Sequence, residues 1–197
     1  MPDIWPSPSC DAWAAALAGY EACVARQPSE LLQKRDPWYR RELPLLIAER
    51  TPPFVTRDEL VWVVEWKMAR GVWRARNLHL ARSNAAEAVE AASRAAFATP
   101  DERTPLRLLG ELSGVGPATA SAVLAAYQPA RYPFFDEVVA AQVPGLVAGE
   151  FTLKAYLGYA AALRARAAEL AEACPAQRWT AHDVGMALWA AAGGKLG

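Results

Sequence analysis

Apolar residues recur along the chain at spacings of three and four, and no stretch alternates convincingly with period two. One face of an α-helix produces the first pattern and a half-buried strand the second, so the chain reads as all-α. Ser9 precedes Trp13, Leu17, Tyr20 and Val24, which share one helical face. Asp36 and Pro37 mark a second start, a capping acid before a proline whose missing N–H costs nothing in a first turn. That helix runs toward Arg50, where Pro52 and Pro53 forbid continuation, and Pro44 bends or splits it. Thr56 and Glu59 have capping-box spacing. Leu60, Val61, Trp62, Val63, Val64, Trp66 and Met68 follow, apolar nearly all round, which predicts a central helix stopped by Gly71. Trp62, Trp66 and Trp73 are assigned to packing with Leu60 and Val63.

Asn84 and Glu87 repeat the capping-box spacing and open an alanine-rich helix to about Ala98; Thr104 and Pro105 open another through Leu112. Further helices are expected from about Pro117 to Tyr127 and, briefly, after Asp136. The longest follows Thr152, with Leu153, Tyr156, Leu157, Ala160, Leu163, Ala167, Leu170, Ala171 and Cys174 along one face. Thr180 with Asp183 caps the last, which ends at Gly193–Gly194. About 8–10 helices in a single unit over residues 1–197 result, without repeats or a low-complexity linker.

Composition narrows the function classes. With 197 residues, 53% of them hydrophobic, 43 alanines and no net charge, the chain buries a real core and is not intrinsically disordered. Apolar runs such as Val61–Val64 or Ala187–Ala192 fall well short of the ~20 residues a bilayer core demands, so no membrane partner is expected. Met1–Cys10 lacks a basic, then apolar, leader, which predicts an intracellular protein of the cytoplasm or nucleus rather than a secreted one. Cys10, Cys23 and Cys174 are widely spaced and the two histidines, His79 and His182, lie far apart. Neither a zinc site nor a four-cysteine iron–sulfur cluster is expected, no cofactor is implied, and the cysteines read as inert packing in a reducing compartment. The neutral balance supplies no general argument for nucleic acid. Charge is uneven, however. Lys67, Arg70, Arg74, Arg76 and Arg82 follow one another without an acid, and Glu87, Glu90, Asp101 and Glu102 come after them with only Arg94 between. Arg74, Arg76 and Arg82 are candidate phosphate contacts, with salt bridges to Glu87 and Glu90 as the rival reading.

The segment Leu108-Leu109-Gly110-Glu111-Leu112-Ser113-Gly114-Val115-Gly116-Pro117-Ala118-Thr119-Ala120 is more specific. One helix ends near Leu112, glycines permit unusual backbone at 114 and 116, and Pro117 starts a second helix. Residues 105–127 thus read as a helix–hairpin–helix. Its turn directs unpaired backbone N–H groups of Gly114, Val115, Gly116, Ala118 and Thr119, with the positive end of the second helix, at one spot where a phosphate fits. A turn that merely reverses direction is the alternative.

Leu112 before the turn, Thr119-Ala120 after it, and Pro133-Phe134-Phe135-Asp136-Glu137-Val138-Val139 downstream together resemble the helix–hairpin–helix (HhH-GPD) DNA glycosylase superfamily. The resemblance is specific over residues 105–143 and loosely consistent over about 30–143. It implies a bundle of two lobes with a cleft between them, DNA, in duplex form, as the partner, and a catalytic aspartate opening the helix after the hairpin, which is Asp136 at the end of the 128–143 loop. Departures are informative. Ala118 occupies the place where bifunctional members carry a nucleophilic lysine, the iron–sulfur cysteines are missing, and Glu137 follows the aspartate where many members have a Thr-His pair.

The resemblance therefore implies a monofunctional glycosylase. Asp136 would stabilise positive charge building on the sugar and take a proton from the attacking water, acting on a base flipped out of the helix. Tyr132 first, then Tyr127 and Phe135, are candidates to stack on that base. The plainer role for Asp136 is a helix cap. Two other functions remain open: a helix–hairpin–helix protein that binds DNA without turnover, and a helical scaffold.

Overall fold

A computed structural model describes residues 4–195, so the first residues of the leader reading lie outside it. Among the described residues all regular structure is helical: α1 Cys10–Ala18, α2 Tyr20–Ala25, α3 Glu30–Pro37, α4 Leu43–Ala48, α5 Arg57–Arg70, α6 Ala75–Arg82, α7 Ala86–Ala98, α8 Thr104–Gly110, α9 Pro117–Tyr127, α10 Glu137–Ala140, α11 Leu153–Ala173 and α12 Ala181–Ala191. A π-helical turn, Trp38–Glu42, joins α3 to α4. This exceeds the expected 8–10 helices because Gly19 divides the first segment, α3 precedes the start expected at Pro37, and α6 forms between Gly71 and Asn84, where no helix was expected.

The core gathers around α5 and α9. Buried residues of α5 run almost continuously from Glu59 to Arg70, and every residue of α9 from Ala118 to Ala126 is buried. The alanines and Ser121 of α9 give it little bulk, so α4, α5, α8 and α11 all pack against it. On the far side α12, buried over most of its length, packs on α1, α2, α10 and α11. A small satellite cluster, Val61, Val64, Met68, Leu78 and Ala81, ties α6 to α5.

Capping chemistry is where local sequence predicts best. Ser9, Thr56, Thr152 and Thr180 each cap a helix, and the boxes Thr56–Glu59 and Thr180–Asp183 are reciprocal. Two expected caps are corrected. Asp36 does not start a helix: it is buried near the end of α3, accepting from Tyr20 Oη (2.8 Å), Trp66 Nε1 (3.0 Å) and Arg40 Nε (2.7 Å). Ser29 caps α3 instead. Pro44, lacking an N–H, cannot bond the Arg40 carbonyl, and the ladder widens so that Leu43 N–H reaches Trp38 O. Asn84 likewise does not cap α7, which starts from Ala85 without a side-chain cap, because its amide is committed elsewhere, as described below.

The cysteines also need correction. Cys10 and Cys174 form a disulfide that ties the start of α1 to the end of α11, 164 residues apart, and Cys23 alone is a buried thiol. A cross-link over so long a loop restricts the unfolded chain strongly and is typically worth ~2–4 kcal/mol. Cys10→Ser is therefore expected to lower Tm by about 5–15 °C. Dithiothreitol should lower the parent by a similar amount and leave the variant unmoved; a melt of the parent indifferent to reductant would refute the cross-link. No helix among the described residues is long and apolar enough to cross a membrane.

Candidate functional site

The α8–α9 hairpin turns at residues 111–116. Gly114 has φ +79°, a left-handed conformation that suits glycine. A Cβ there would come within 2.6 Å of Asn77 O and 2.9 Å of Ala81 N, so the turn is seated directly on the α6 backbone. The Asn84 side chain fastens it: Nδ2 donates to Ser113 O and Oδ1 accepts from Ser113 N, both at 2.9 Å. Gly116 differs from the expectation made for it. Its φ of −101° is open to any residue, and a Cβ built there meets nothing within 4 Å. What this glycine provides is space in front of α9.

That space is a groove of about 340 Å³ lined by Lys67, Arg74, Asn77, Gly116, Pro117, Ala118, Thr119 and Phe151. Among the described residues the N–H groups of Gly116 and Ala118 find no acceptor, so the positive end of α9 opens into the groove between two cations. The Val115, Ala118 and Thr119 side chains are buried, and the expected donors at 115 and 119 are already spent: Val115 N–H bonds Leu112 O (3.1 Å) and Thr119 N–H bonds Gly116 O (3.0 Å).

Lys67, Arg74 and Phe151 also line a smaller hollow of about 80 Å³, completed by Arg70, Val72, Phe134, Phe135, Asp136, Glu137 and Lys195 among others. The backbone leading to Asp136 is held from several sides. Ser121 on α9 accepts from Phe135 N–H (2.9 Å), Tyr159 Oη donates to Phe134 O (2.7 Å), and Tyr156 Oη donates to Pro133 O (3.3 Å). His182 Nδ1 accepts from Phe134 N–H (3.4 Å). Burial, followed by the charge of Arg70, lowers the pKa of that imidazole to about 3, so it stays neutral.

Asp136 caps α10, with Oδ1 accepting from Val138 N–H (2.8 Å) and Val139 N–H (3.4 Å). Its Oδ2 takes Arg70 Nε at 2.6 Å. Both residues are buried, at 6% and 5% exposure, and the guanidinium also bonds Tyr20 Oη and lies 4.0 Å over the Trp189 ring. With Arg70 on Asp136 and Lys195 near Glu137 (4.0 Å), Lys67 and Arg74 are the wall cations left without an acid among the described residues. Burial and the neighbouring Arg74 charge lower the Lys67 pKa. The site as a whole therefore carries surplus positive charge, although the chain is neutral.

Other expected residues are placed differently. Phe135 lines the hollow, packed against Phe151 (5.2 Å) and Tyr159 (5.0 Å). Tyr132 does not line it: the ring is buried and its hydroxyl donates to Asp101 O (3.3 Å). Tyr127 stacks on Phe97 (4.1 Å) and faces a separate groove beside Tyr39 and His182. Arg74 reaches both cavities, Arg76 is exposed, and Arg82 pairs with Glu65 (3.1 Å) rather than with Glu87 or Glu90; Glu90 is taken by Arg94. Sequence reasoning gave Arg70 and Lys67 no role in the site, although the acid-free run contained both. Trp73, assigned to packing, is 50% exposed.

No protein-family model matches the chain, and neither a curated protein nor a solved structure proved similar to it.

Proposed function

We propose that this chain is a DNA glycosylase-like protein: the hairpin holds a backbone phosphate at the start of α9, and the attached sugar is presented to Asp136 for hydrolysis of an N-glycosidic bond in damaged or mispaired DNA. In this reading the helices form an HhH-GPD-like bundle and the groove is the cleft between its two lobes. The observation that supports it best is that the two cavities are neighbours sharing Lys67, Arg74 and Phe151 as walls. A phosphate in the wider groove meets free N–H groups and two unneutralised cations, and the neighbouring sugar then lies toward the carboxylate. At about 30 Å³ per water, the 80 Å³ hollow takes the water to be activated. An amine route through the hairpin is absent, since Ala118 has no nucleophile.

A second reading, DNA binding without turnover, is favoured by the Arg70 contact. A guanidinium on Oδ2 neutralises the charge that would otherwise stabilise an oxocarbenium-like sugar, and excision requires that the ligand draw the pair apart.

Both readings rest on the phosphate grip, which Gly116→Val tests. The open space around Gly116 lets the fold accept a side chain, so the melting curve should stay unchanged while the valine fills the approach to α9. Hydrogen bonds to a charged group are worth ~1.5–3 kcal/mol, so affinity for a DNA oligonucleotide at low salt should fall about 10–100-fold. Replacing Lys67 and Arg74 together with methionine should flatten the dependence of log affinity on log salt by nearly two, at about 0.9 per phosphate contact. Unchanged affinity in a folded Gly116→Val protein removes the hairpin from the binding site, and a parent with no salt-dependent affinity leaves only the scaffold reading.

A further inference from the structure

We infer that Trp73 stacks on an unpaired nucleobase just outside the Asp136 hollow, so that the preferred ligand is DNA containing an unpaired base (a single strand, an overhang or a mismatch) rather than a closed duplex. This rests on the DNA reading above and specifies its substrate class.

Trp73 is unlike the other tryptophans of the chain. Trp13, Trp38, Trp66, Trp179 and Trp189 are buried. Trp62 is 37% exposed, but its ring is covered by Arg35 at 4.3 Å and met edge-on by Trp38 at 5.1 Å. Trp5 lies under the Arg166 guanidinium (4.8 Å). The Trp73 ring is half exposed and has neither an aromatic nor a cationic partner among the described residues. It stands in the short loop between α5 and α6, beside Val72, itself 52% exposed.

The loop's place selects the occupant. Val72 and Arg74, on either side of Trp73, line the Asp136 hollow, and Arg74 lines the hairpin groove too. Lys67 and Arg74 on the cavity walls and the exposed Arg76 have no acid partner among the described residues, which suits a polyanion on this side of the molecule. Size points the same way. A cavity of roughly 150 Å³ is filled by benzene, whereas the hollow offers about 80 Å³, so it does not take a base as it stands. A base on the held strand therefore lies outside, where the exposed aromatic rings are Phe151, which is engaged edge-on by Phe135 at 5.2 Å, and the unpartnered Trp73. In a closed duplex the faces of the bases are covered by their neighbours and only edges are presented, so a ring stacks only where a base is unpaired or the stack is opened.

The test uses the full chain and oligonucleotides carrying 2-aminopurine, presented as a single strand, as a duplex with one unpaired 2-aminopurine, and as a fully paired duplex. The parent should bind the first two about tenfold or more tighter than the third and quench their fluorescence. Trp73→Ala should lose tenfold to hundredfold affinity for the unpaired probes together with the quenching, shift binding of the paired duplex less than twofold, and melt like the parent because it removes an exposed loop side chain. Trp73→Phe should keep most of both signals. If Trp73→Ala binds and quenches like the parent, the stacking role is overturned while the hairpin reading stands. If the parent binds no DNA but anionic phospholipid vesicles shift its tryptophan emission through Trp73, both proposals fall and the loop is a lipid-facing one.

Discussion

Arg70→Met should cost the fold about 3–5 kcal/mol, the usual consequence of removing one member of a buried ion pair and leaving the other unpaired. Asp136 and Arg70 are both nearly inaccessible, and the guanidinium also serves Tyr20 and Trp189, so water does not easily replace it. Burial pushes the Tyr20 phenol far above its ordinary range; it remains a neutral donor to Asp36 and offers no compensating charge. A chemical-denaturation midpoint and a thermal melt measure the loss. The double variant Arg70→Met with Asp136→Asn should recover part of the stability lost by Arg70→Met alone. A double variant as unstable as the sum of the two single changes would show that the residues do not act as a pair.

Asp136→Asn has the largest effect expected on activity. If the excision reading holds, base release from duplexes carrying uracil, alkylated, deaminated or oxidised bases should fall about 10²–10⁴-fold, the usual worth of general-base help. DNA affinity should stay within a few-fold, since the hairpin groove is lined by other groups. Asparagine keeps an oxygen for the α10 cap but gives Arg70 no charge, so release is compared at a temperature where both proteins are folded. A parent that binds these duplexes yet releases nothing from any of them establishes the second reading, with Arg70 as the group that holds the carboxylate silent. Release that survives the substitution moves the chemistry away from Asp136.

The hollow in front of Asp136 distinguishes this acid from an ordinary cap. A carboxylate that only closed α10 would need its Oδ1 contacts and nothing more. Here Oδ2 faces a charged partner at the wall of a cavity, and four buttressing contacts to residues 133–135 hold the approach to it. These contacts satisfy the buried backbone groups of residues 133–135 and fix the loop that carries Asp136.

Helix starts, the left-handed Gly114 and the α8–α9 hairpin were legible along the chain because each is settled within four or five residues: a side-chain oxygen meets an N–H three positions on, or a backbone angle excludes a Cβ. Asp136 as the cap of a short helix was legible for the same reason. Where local rules pointed the wrong way, a distant partner had claimed the same atoms. Asp36 was drawn into the interior by Tyr20 and Trp66, and Asn84 was recruited by Ser113, 29 residues away. The disulfide joins positions 164 apart and Arg70 meets Asp136 across 66 residues; no spacing rule connects either pair.

The amino-acid order by itself determined an all-helical chain, the ends of most helices and a glycine turn able to expose backbone donors, since these depend on short-range sterics and hydrogen bonds. Only the tertiary structure decided that α5 stands beside that turn, that Lys67 and Arg74 are left without acids while Arg70 is consumed, and that Trp73 remains outside the core. Those outcomes depend on which helix faces pack together, and packing joins residues with no fixed separation along the chain.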